Sequence, residues 1–417
     1  MANNNNTKNL NVPTLRFPEF TGEWKLVQLS QIADFVGGGT PSSSNASFWN
    51  GSIPWISSSD IKDGNIYDIS ITRFITKEAI DKSTTKLCPA PVILLVSRVG
   101  VGKVALSNKK LCTSQDFCNL INIKCNPNFL AYDLVRTMKQ KSREAQGTSI
   151  KGVTSYEIQK IRFWLPEKKK EQDKIATFLS LLDHRIATQN KIIEKYESLI
   201  KGIGNKLFSF KMRFKTNDGN DFPSWKTKSF ENIGKTFSGL SGKAKEDFGI
   251  GKPYIQYKQV FDTPQIQIQN CGLVNVLDSE NQNNVKYGDI LFTVSSETPD
   301  EIGMSSVLLD EVDEMYLNSF CFGYRLSSFE VLNPLYASYF FRDSSFRNKV
   351  VKIAQGSTRY NISKSEFIKL KISLPCIEEQ ARIASFLSAV DEKIKEEKEI
   401  LALYLIQKNH LLRQMVI

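Results

Sequence analysis

One internal repeat constrains this chain more than any other feature. The run Ala-Gln-Gly-Thr-Ser from Ala145, the pair Leu165-Pro166 and the segment Gln172 to Asp183 all return later. They return as Ala-Gln-Gly-Ser-Thr from Ala354, Leu374-Pro375 and Gln380 to Asp391. The second copy follows by 208 or 209 residues, because one residue is extra between Pro166 and Gln172. Over the 25 positions from Gln172 to Tyr196, ten residues recur, against roughly one or two by chance. The halves also open alike: Phe17-Pro18 precedes Trp24-Lys25, and Phe222-Pro223 precedes Trp225-Lys226. Between these landmarks, roughly 40–140 and 240–350, the two copies share almost nothing. A kept frame with different interiors is what two readers on one scaffold require.

A length of 417 residues allows two or three domains with their own cores. The net charge of +11 and pI near 9.1 favour a polyanionic partner, nucleic acid or an anionic membrane surface. No apolar run reaches spanning length, and the amino terminus has neither the basic start nor the apolar core of a signal peptide, so neither a membrane span nor a signal peptide is expected. Seven cysteines form no Cys-x-x-Cys pair, and only two histidines are present. A zinc site and a disulfide framework are both unexpected, and a reducing cytoplasm is the expected setting.

After each Leu-Pro comes a heptad pattern. The first copy places Ile175, Leu179, Leu182, Ile186, Ile193, Tyr196, Ile200, Ile203 and Leu207 on one seam, with Gln189 filling a missing beat. The second gives Ile383, Leu387, Val390, Ile394, Leu401, Tyr404, Leu411 and Met415, with Glu397 and Lys408 opposite Gln189 and Ile200. Helices over Gln172–Phe208 and Gln380–Val416 are expected to pair antiparallel about a pseudo-two-fold axis. Each would be about 51 Å long at 1.5 Å per residue. The remainder reads as mixed α/β, with strands at 53–56, 92–96, 119–123, 290–294 and 320–326. Helices are expected near 129–143 and 334–354.

Motifs that would signal an enzyme fail on inspection. Gly100-Val-Gly-Lys103 resembles the end of a phosphate loop, but Ser97 stands in place of the first glycine and Val104 in place of the magnesium-binding hydroxyl. A tight turn between strands is expected instead. Asn333-Pro-Leu-Tyr336 resembles an amino-methyltransferase loop, yet lacks its second proline; a helix start is expected there. Neither histidine has a nucleophile partner, and no catalytic residue is assigned.

The doubled pattern Gln-Gly, Leu-Pro, Gln-x-x-Ile-Ala-x-Phe-Leu-Ser-x-x-Asp resembles the specificity subunit of Type I restriction-modification systems. So does the entry Phe-Pro-Glu-Phe-x-Gly-x-Trp-Lys at 17–25. In the second half, Gly288-Asp-Ile-Leu-Phe292 and Ser296-Glu-Thr-Pro299 resemble a recurrent segment of its target recognition domains. The first half has Pro91-Val92 where Gly-Asp is expected. The resemblance implies two tandem α/β target recognition domains, 1–165 and 211–375, each followed by a long spacer helix, 166–210 and 376–417. It further implies a non-catalytic reader of bipartite double-stranded DNA that docks two modification (methyltransferase) subunits and the restriction subunits. No cofactor is expected in this chain; S-adenosylmethionine and ATP with magnesium would belong to the partners.

Reading a few base pairs needs phosphate anchors and donors aimed at base edges. In the first half, loops offer Thr40, Ser42, Arg98, Lys103, Thr148 and Lys151 for DNA binding. In the second they offer Lys243, Lys245, Tyr257, Lys258, Ser357, Arg359, Tyr360 and Asn361. The segments after Gln146-Gly147 and Gln355-Gly356 are favoured, since they differ inside a retained frame. Two other readings stay open: an enzyme of unrecognised mechanism, and a coiled-coil adaptor without sequence-specific DNA reading.

Overall fold

The computed structural model describes residues 11–144, 152–356 and 358–417. It divides into two units, Met1–Lys191 with Lys398–Ile417, and Ile192–Glu397. In chain order, unit 1 begins with β1 (Lys25–Gln28), α1 (Leu29–Ile32), β2 (Asp34–Gly37), β3 (Ile53–Ile56), β4 (Arg73–Ile75) and α2 (Lys77–Asp81). Then come β5 (Val92–Val96), β6 (Val104–Ser107), β7 (Cys112–Thr113), β8 (Phe117–Ile121), α3 (Pro127–Glu144), α4 (Ser155–Gln159), β9 (Arg162–Leu165) and the long α5 (Lys169–Phe208).

Among the described residues, unit 1 has the sheets β2-β8-β5-β6 and β4-β3-β7 and the ribbon β1-β9. All five residues of β5 are buried, because both faces of its sheet are covered. Successive side chains alternate sides: Ile93 and Leu95 join a core with Phe129 and Leu130 of α3, while Val92, Leu94 and Val96 join a core with Ile56 and Leu111. The expected turn at Gly100–Lys103 joins β5 to β6.

Unit 2 contains β10 (Lys226–Ser229), α6 (Phe230–Ile233), β11 (Gly234–Ser238), β12 (Phe248–Ile255), α7 (Tyr257–Asp262), β13 (Gly272–Val274), β14 (Ile290–Thr293) and β15 (Ser295–Ser296). It continues with β16 (Ser305–Val307), β17 (Tyr316–Leu317), β18 (Cys321–Leu326), α8 (Pro334–Phe340), α9 (Ser344–Ile353), β19 (Tyr360–Asn361), α10 (Lys364–Phe367), β20 (Lys371–Leu374) and α11 (Ile377–Met415). Its sheets are β11-β18-β14-β16, β13-β12-β17, β10-β20 and β15-β19. The first three repeat the strand order of unit 1, so the interiors that share almost no sequence share one topology.

Register explains the Pro91-Val92 departure. Ile93 pairs with Leu120 and Leu106, and Ile290 pairs with Tyr324 and Val307. Val92 therefore stands where unit 2 has Asp289, and Ile121 where it has Arg325. In unit 2 the Arg325 guanidinium donates to Asp289 at 2.8 and 2.6 Å. Unit 1 fills the same place with an apolar contact, a swap that leaves no unpaired charge.

The heptad seam is buried or half-buried along both long helices. Ile175, Leu179, Ile186, Gln189, Ile193 and Leu207 on α5 are buried, as are Ile383, Leu387, Ile394, Lys408 and Met415 on α11. In unit 1, Ile175 and Leu179 share a core with Leu412 and Met415, and Asp183 pairs with Lys408. Partner numbers fall as α5 numbers rise, so the segments run antiparallel. In unit 2, Leu207 shares a core with Ile383 and Leu387. At 40 residues, α5 is about 60 Å long, longer than its heptad segment suggested. The helix expected over 334–354 is broken, because Asp343 caps a new helix by accepting the Ser345 N–H at 2.8 Å.

Candidate nucleic-acid interface

The repeated motif residues build the frame that holds the loops. Gln172 Nε2 donates to the Pro166 carbonyl at 2.8 Å, and its Oε1 accepts the Asn126 N–H at 2.9 Å. Gln380 does the same with Pro375 and Asn333, each at 2.9 Å. Asn126 and Asn333 in turn accept the N–H of Phe129 and Tyr336 as helix caps. One glutamine thus ties the end of a strand to the start of α3 or α8, which accounts for the Leu-Pro…Gln spacing. Asn333-Pro334 is a helix start, as expected.

Buried carboxylates complete the frame. Glu171 accepts Arg16 Nε at 2.7 Å and the Trp24 indole at 3.1 Å. Glu379 accepts Arg213 Nε at 3.0 Å and the Trp225 indole at 3.2 Å. The Trp-Lys entry of each half is therefore a latch onto the long helix that follows it.

In unit 2 the Gln-Gly segment is a short hairpin. Gln355 and Asn361 exchange backbone hydrogen bonds of 3.0 and 2.8 Å. Gly356 has φ +128°, and a Cβ there would lie 2.1 Å from the Arg359 carbonyl oxygen, so only glycine closes this turn. β19 then pairs with β15, Ser295 with Asn361 and Ser296 with Tyr360. Tyr257 Oη donates to the Ser295 carbonyl at 2.8 Å. Burial raises the Tyr257 phenol pKa, while the nearby Arg359 charge lowers it. Tyr257, Arg359, Tyr360 and Asn361 are thereby gathered on one surface. Arg359 and Asn361 are exposed, as is Lys258, which pairs with Asp262 at 2.7 Å.

Lys243 and Lys245 lie on the loop after β11. Lys245 is exposed. The Lys243 side chain is only 6% exposed and meets Glu280 at 2.5 Å; that contact holds the Glu280 carboxyl down to about 2.

In unit 1 the Gly39 carbonyl accepts the Trp55 indole at 2.9 Å and the Thr85 hydroxyl at 2.7 Å, which fixes the loop carrying Thr40 and Ser42. Thr40 donates to Gln115. Ser42 accepts the Trp49 indole on its carbonyl at 3.0 Å. The exposed Arg98 lines a cleft with Gln115, Gly152 and Thr154. The Val153 N–H donates to the Ser97 carbonyl at 2.8 Å, as Ile362 donates to Val294 at 2.9 Å in unit 2. The chain entering or leaving each Gln-Gly segment is thus anchored at the same place. Lys103 donates to the Ser58 carbonyl at 3.1 Å. Thr148, Lys151 and Ser357 lie outside the described residues.

Sequence reasoning passed over Gln115, Thr154 and Tyr156. Gln115 and Thr154 matter because the fold brings them to the Arg98 cleft. Tyr156 is 64% exposed with the Lys160 ammonium 4.0 Å from its ring centroid, and it lies within the Thr154-x-x-Glu157 capping box, the one sequence signal at this place. Among the described residues, no His, Cys, Asp or Glu group is arranged to hold a metal. Burial pushes the Cys88 thiol up to about 11 and those of Cys112 and Cys125 up to about 12, which makes them poor nucleophiles. No helix among the described residues is long and apolar enough to cross a membrane.

Two units of one mixed α/β topology, presenting different polar and basic loops on a matched frame, define a protein with tandem recognition domains. The family model for the Type I restriction modification DNA specificity domain matches twice, at residues 21–198 and 207–403. The chain belongs to this family, the non-catalytic DNA-recognition subunits of Type I restriction-modification systems. The Type I restriction enzyme MjaIX specificity subunit of Methanocaldococcus jannaschii is 30% identical over 304 residues, covering 68% of this chain and 69% of the relative. The MjaVIII specificity subunit of the same organism is 24% identical, covering 92% and 90%. The crystal structure of a Type I S subunit from M. genitalium covers 97% of this chain and 99% of its own at TM-score 0.55 and 16% identity, a likeness of fold.

Proposed function

We propose that each unit reads one part of a bipartite duplex-DNA target, unit 1 through the Arg98 cleft and unit 2 through the 355–361 hairpin. One observation carries this reading. The frame residues Gln172, Glu171 and Asp183 have counterparts making equivalent bonds in Gln380, Glu379 and Asp391. The sequences that follow Gln-Gly in the two halves differ, Thr148-Ser-Ile-Lys151 against Ser357-Thr-Arg-Tyr-Asn361. Two different half-sites need the same frame with different donors.

The reading assigns recognition domains to 1–165 and 211–375 and spacer helices to 166–210 and 376–417. Two modification subunits, carrying S-adenosylmethionine for adenine methylation, dock on the long helices. Exposed apolar side chains there, Leu181, Leu199, Leu403 and Ile406, support this docking. Restriction subunits, with ATP and magnesium, join that complex in the cytoplasm.

Sequencing the methylated adenines of a host that carries this chain with its modification subunits tests the reading. A split motif is expected, and grafting a different 355–361 segment should change one half of it only. Methylation without sequence preference would favour the adaptor reading instead.

A further inference from the structure

Unit 1 holds a second cationic feature. A cleft of about 330 Å³ lies between α3 and the last turns of α11, lined by Arg136, Lys139, Arg143, Lys408 and Arg413. Arg136, Lys139 and Arg143 follow i, i+3, i+7 spacing and share one helix face. Seven residues of helix advance about 10 Å. Successive phosphates of one DNA strand rise about 3.4 Å along the duplex axis while winding around it, so the row is long enough to reach more than one of them.

Charge compensation inside the cleft is incomplete. The Lys408 ammonium is bonded to the buried Asp183 and belongs to the interior. Lys139 lies 3.6 Å from Asp63, with both side chains well exposed to solvent. The nearest carboxylate to Arg136 is Asp133, at 3.7 Å. Asp133 is fully buried, burial pushes its carboxyl up to about 7, and neither of its oxygens nor Arg136 Nε has a hydrogen-bond partner. Asp133 thus offsets Arg136 only partly at neutral pH. Arg143 and Arg413 are exposed at the cleft.

The row leads onto the Arg98 surface. A Cβ on Gly102, which has φ +106°, would lie 3.1 Å from Ser142 Cβ, so the turn that carries Arg98 abuts the last turn of α3. The apolar lining is confined to Val135 and Leu412, which gives an amphipathic helix few anchors. The matching cleft of unit 2 differs. Its Arg342 donates to the Ser305 carbonyl at 2.7 Å, its Arg347 to the Gly303 and Asp300 carbonyls at 2.6 and 2.9 Å, and Asp343 and Asp391 line it as well.

We propose that the Arg136–Arg143–Arg413 cleft is a phosphate track, holding the backbone of duplex DNA beside the half-site of unit 1 without reading bases. This rests on the DNA-recognition reading above, and it makes the two halves unequal, since the arginines of the unit 2 cleft are bonded to backbone carbonyls.

The test uses the full chain with its modification subunits, carrying Arg136→Gln, Arg143→Gln and Arg413→Gln together, bound to a duplex bearing the wild-type motif across a salt titration. Each phosphate contact contributes about 0.9 to the salt slope, so the slope should fall by roughly 2.7. A fourfold rise in salt then costs the wild type about 40-fold more affinity than the variant. The methylated motif should not change, and lysine at the same three positions should restore the slope. An unaltered slope overturns the proposal. So does loss of the modification subunits with the slope unaltered, which would make the cleft a protein-docking site. A wild type without sequence preference, but with a slope that still falls in the variant, sinks the half-site reading and leaves the track standing. If the triple variant fails to fold, Arg413→Gln alone should lower the slope by about 0.9, and no change there also overturns the track.

Discussion

The Tyr132 phenol donates to the Asp183 carboxylate at 2.8 Å, joining α3 to the first long helix. Tyr339 and Asp391 repeat the contact at 2.7 Å. Asp183 also pairs with the buried Lys408, whose counterpart by heptad position is Ile200. Removing one partner of a buried pair leaves the other charge unsolvated, which costs more than removing both. Lys408→Ile alone is expected to destabilise unit 1 by about 3 kcal/mol, and Lys408→Ile with Asp183→Asn by clearly less. Denaturant unfolding of the four members of the cycle measures the coupling. Additive effects would show that the two side chains do not depend on each other.

Glu379 is the acceptor for Arg213 and Trp225 and is itself fully buried, while Arg213 keeps about a quarter of its side chain in solvent. Glu379→Ala should therefore cost about 2–3 kcal/mol, less than the loss of a wholly buried pair. The loss should fall on unit 2. Hydrogen exchange should speed up around Trp225 and the start of α11 while β5 and α3 keep their protection. Uniform loss of protection across the chain would contradict a local latch.

How much of this was legible in sequence follows from how each feature is specified. The heptad seam and the repeated Gln and Asp positions are set by local spacing, and Gln172, Gln380, Asp183, Ile175 and Ile383 are buried where spacing put them. The burial of Glu171 was not legible, since it ends the charged run 167–171. The shared topology of the two interiors was not legible. A strand such as β5 or β14 needs only side chains that bury on alternate faces, and Val92–Val96 and Ile290–Thr293 meet that need with different residues. The break between α8 and α9 turned on one capping residue, Asp343. Among candidate DNA contacts, hydroxyl and basic residues in loops could be chosen by type. Their internal partners could not, since Glu280 lies 37 residues from Lys243 in sequence.

Asp133 gives a pH signature. In the folded chain its carboxyl holds a proton up to about pH 7 because it is buried, while in the unfolded chain it ionises near pH ~3.9. Between those values the folded state binds the extra proton, so stability falls as pH rises through the window. The contribution is about 4 kcal/mol at most. Asp133→Asn should raise the melting temperature at pH 8 and lose that advantage towards pH 5. Parallel melting curves for variant and wild type across this range would count against a titrating Asp133.

Arg359 and Lys243 should behave oppositely towards DNA. Arg359 is exposed at the tip of the Gln355–Asn361 hairpin, and its guanidinium can fork onto a phosphate or onto guanine. Most protein–DNA hydrogen bonds go to the backbone. Arg359→Ala is therefore expected to weaken binding to all sequences and to lower the salt slope by about one, with the methylated motif intact. A base contact would instead relax one position of one half-site and cost about 1–3 kcal/mol there. The Lys243 ammonium is already held by Glu280 and shielded from solvent. Lys243→Met should leave the salt slope as it is and loosen the loop after β11, because Glu280 loses its cation. Salt-titrated binding combined with methylome profiling separates these outcomes. If Arg359→Ala left affinity, slope and motif all unchanged, the hairpin would have no place in the DNA interface, and the second half-site would have to be read from the α7 surface around Tyr257 and Lys258.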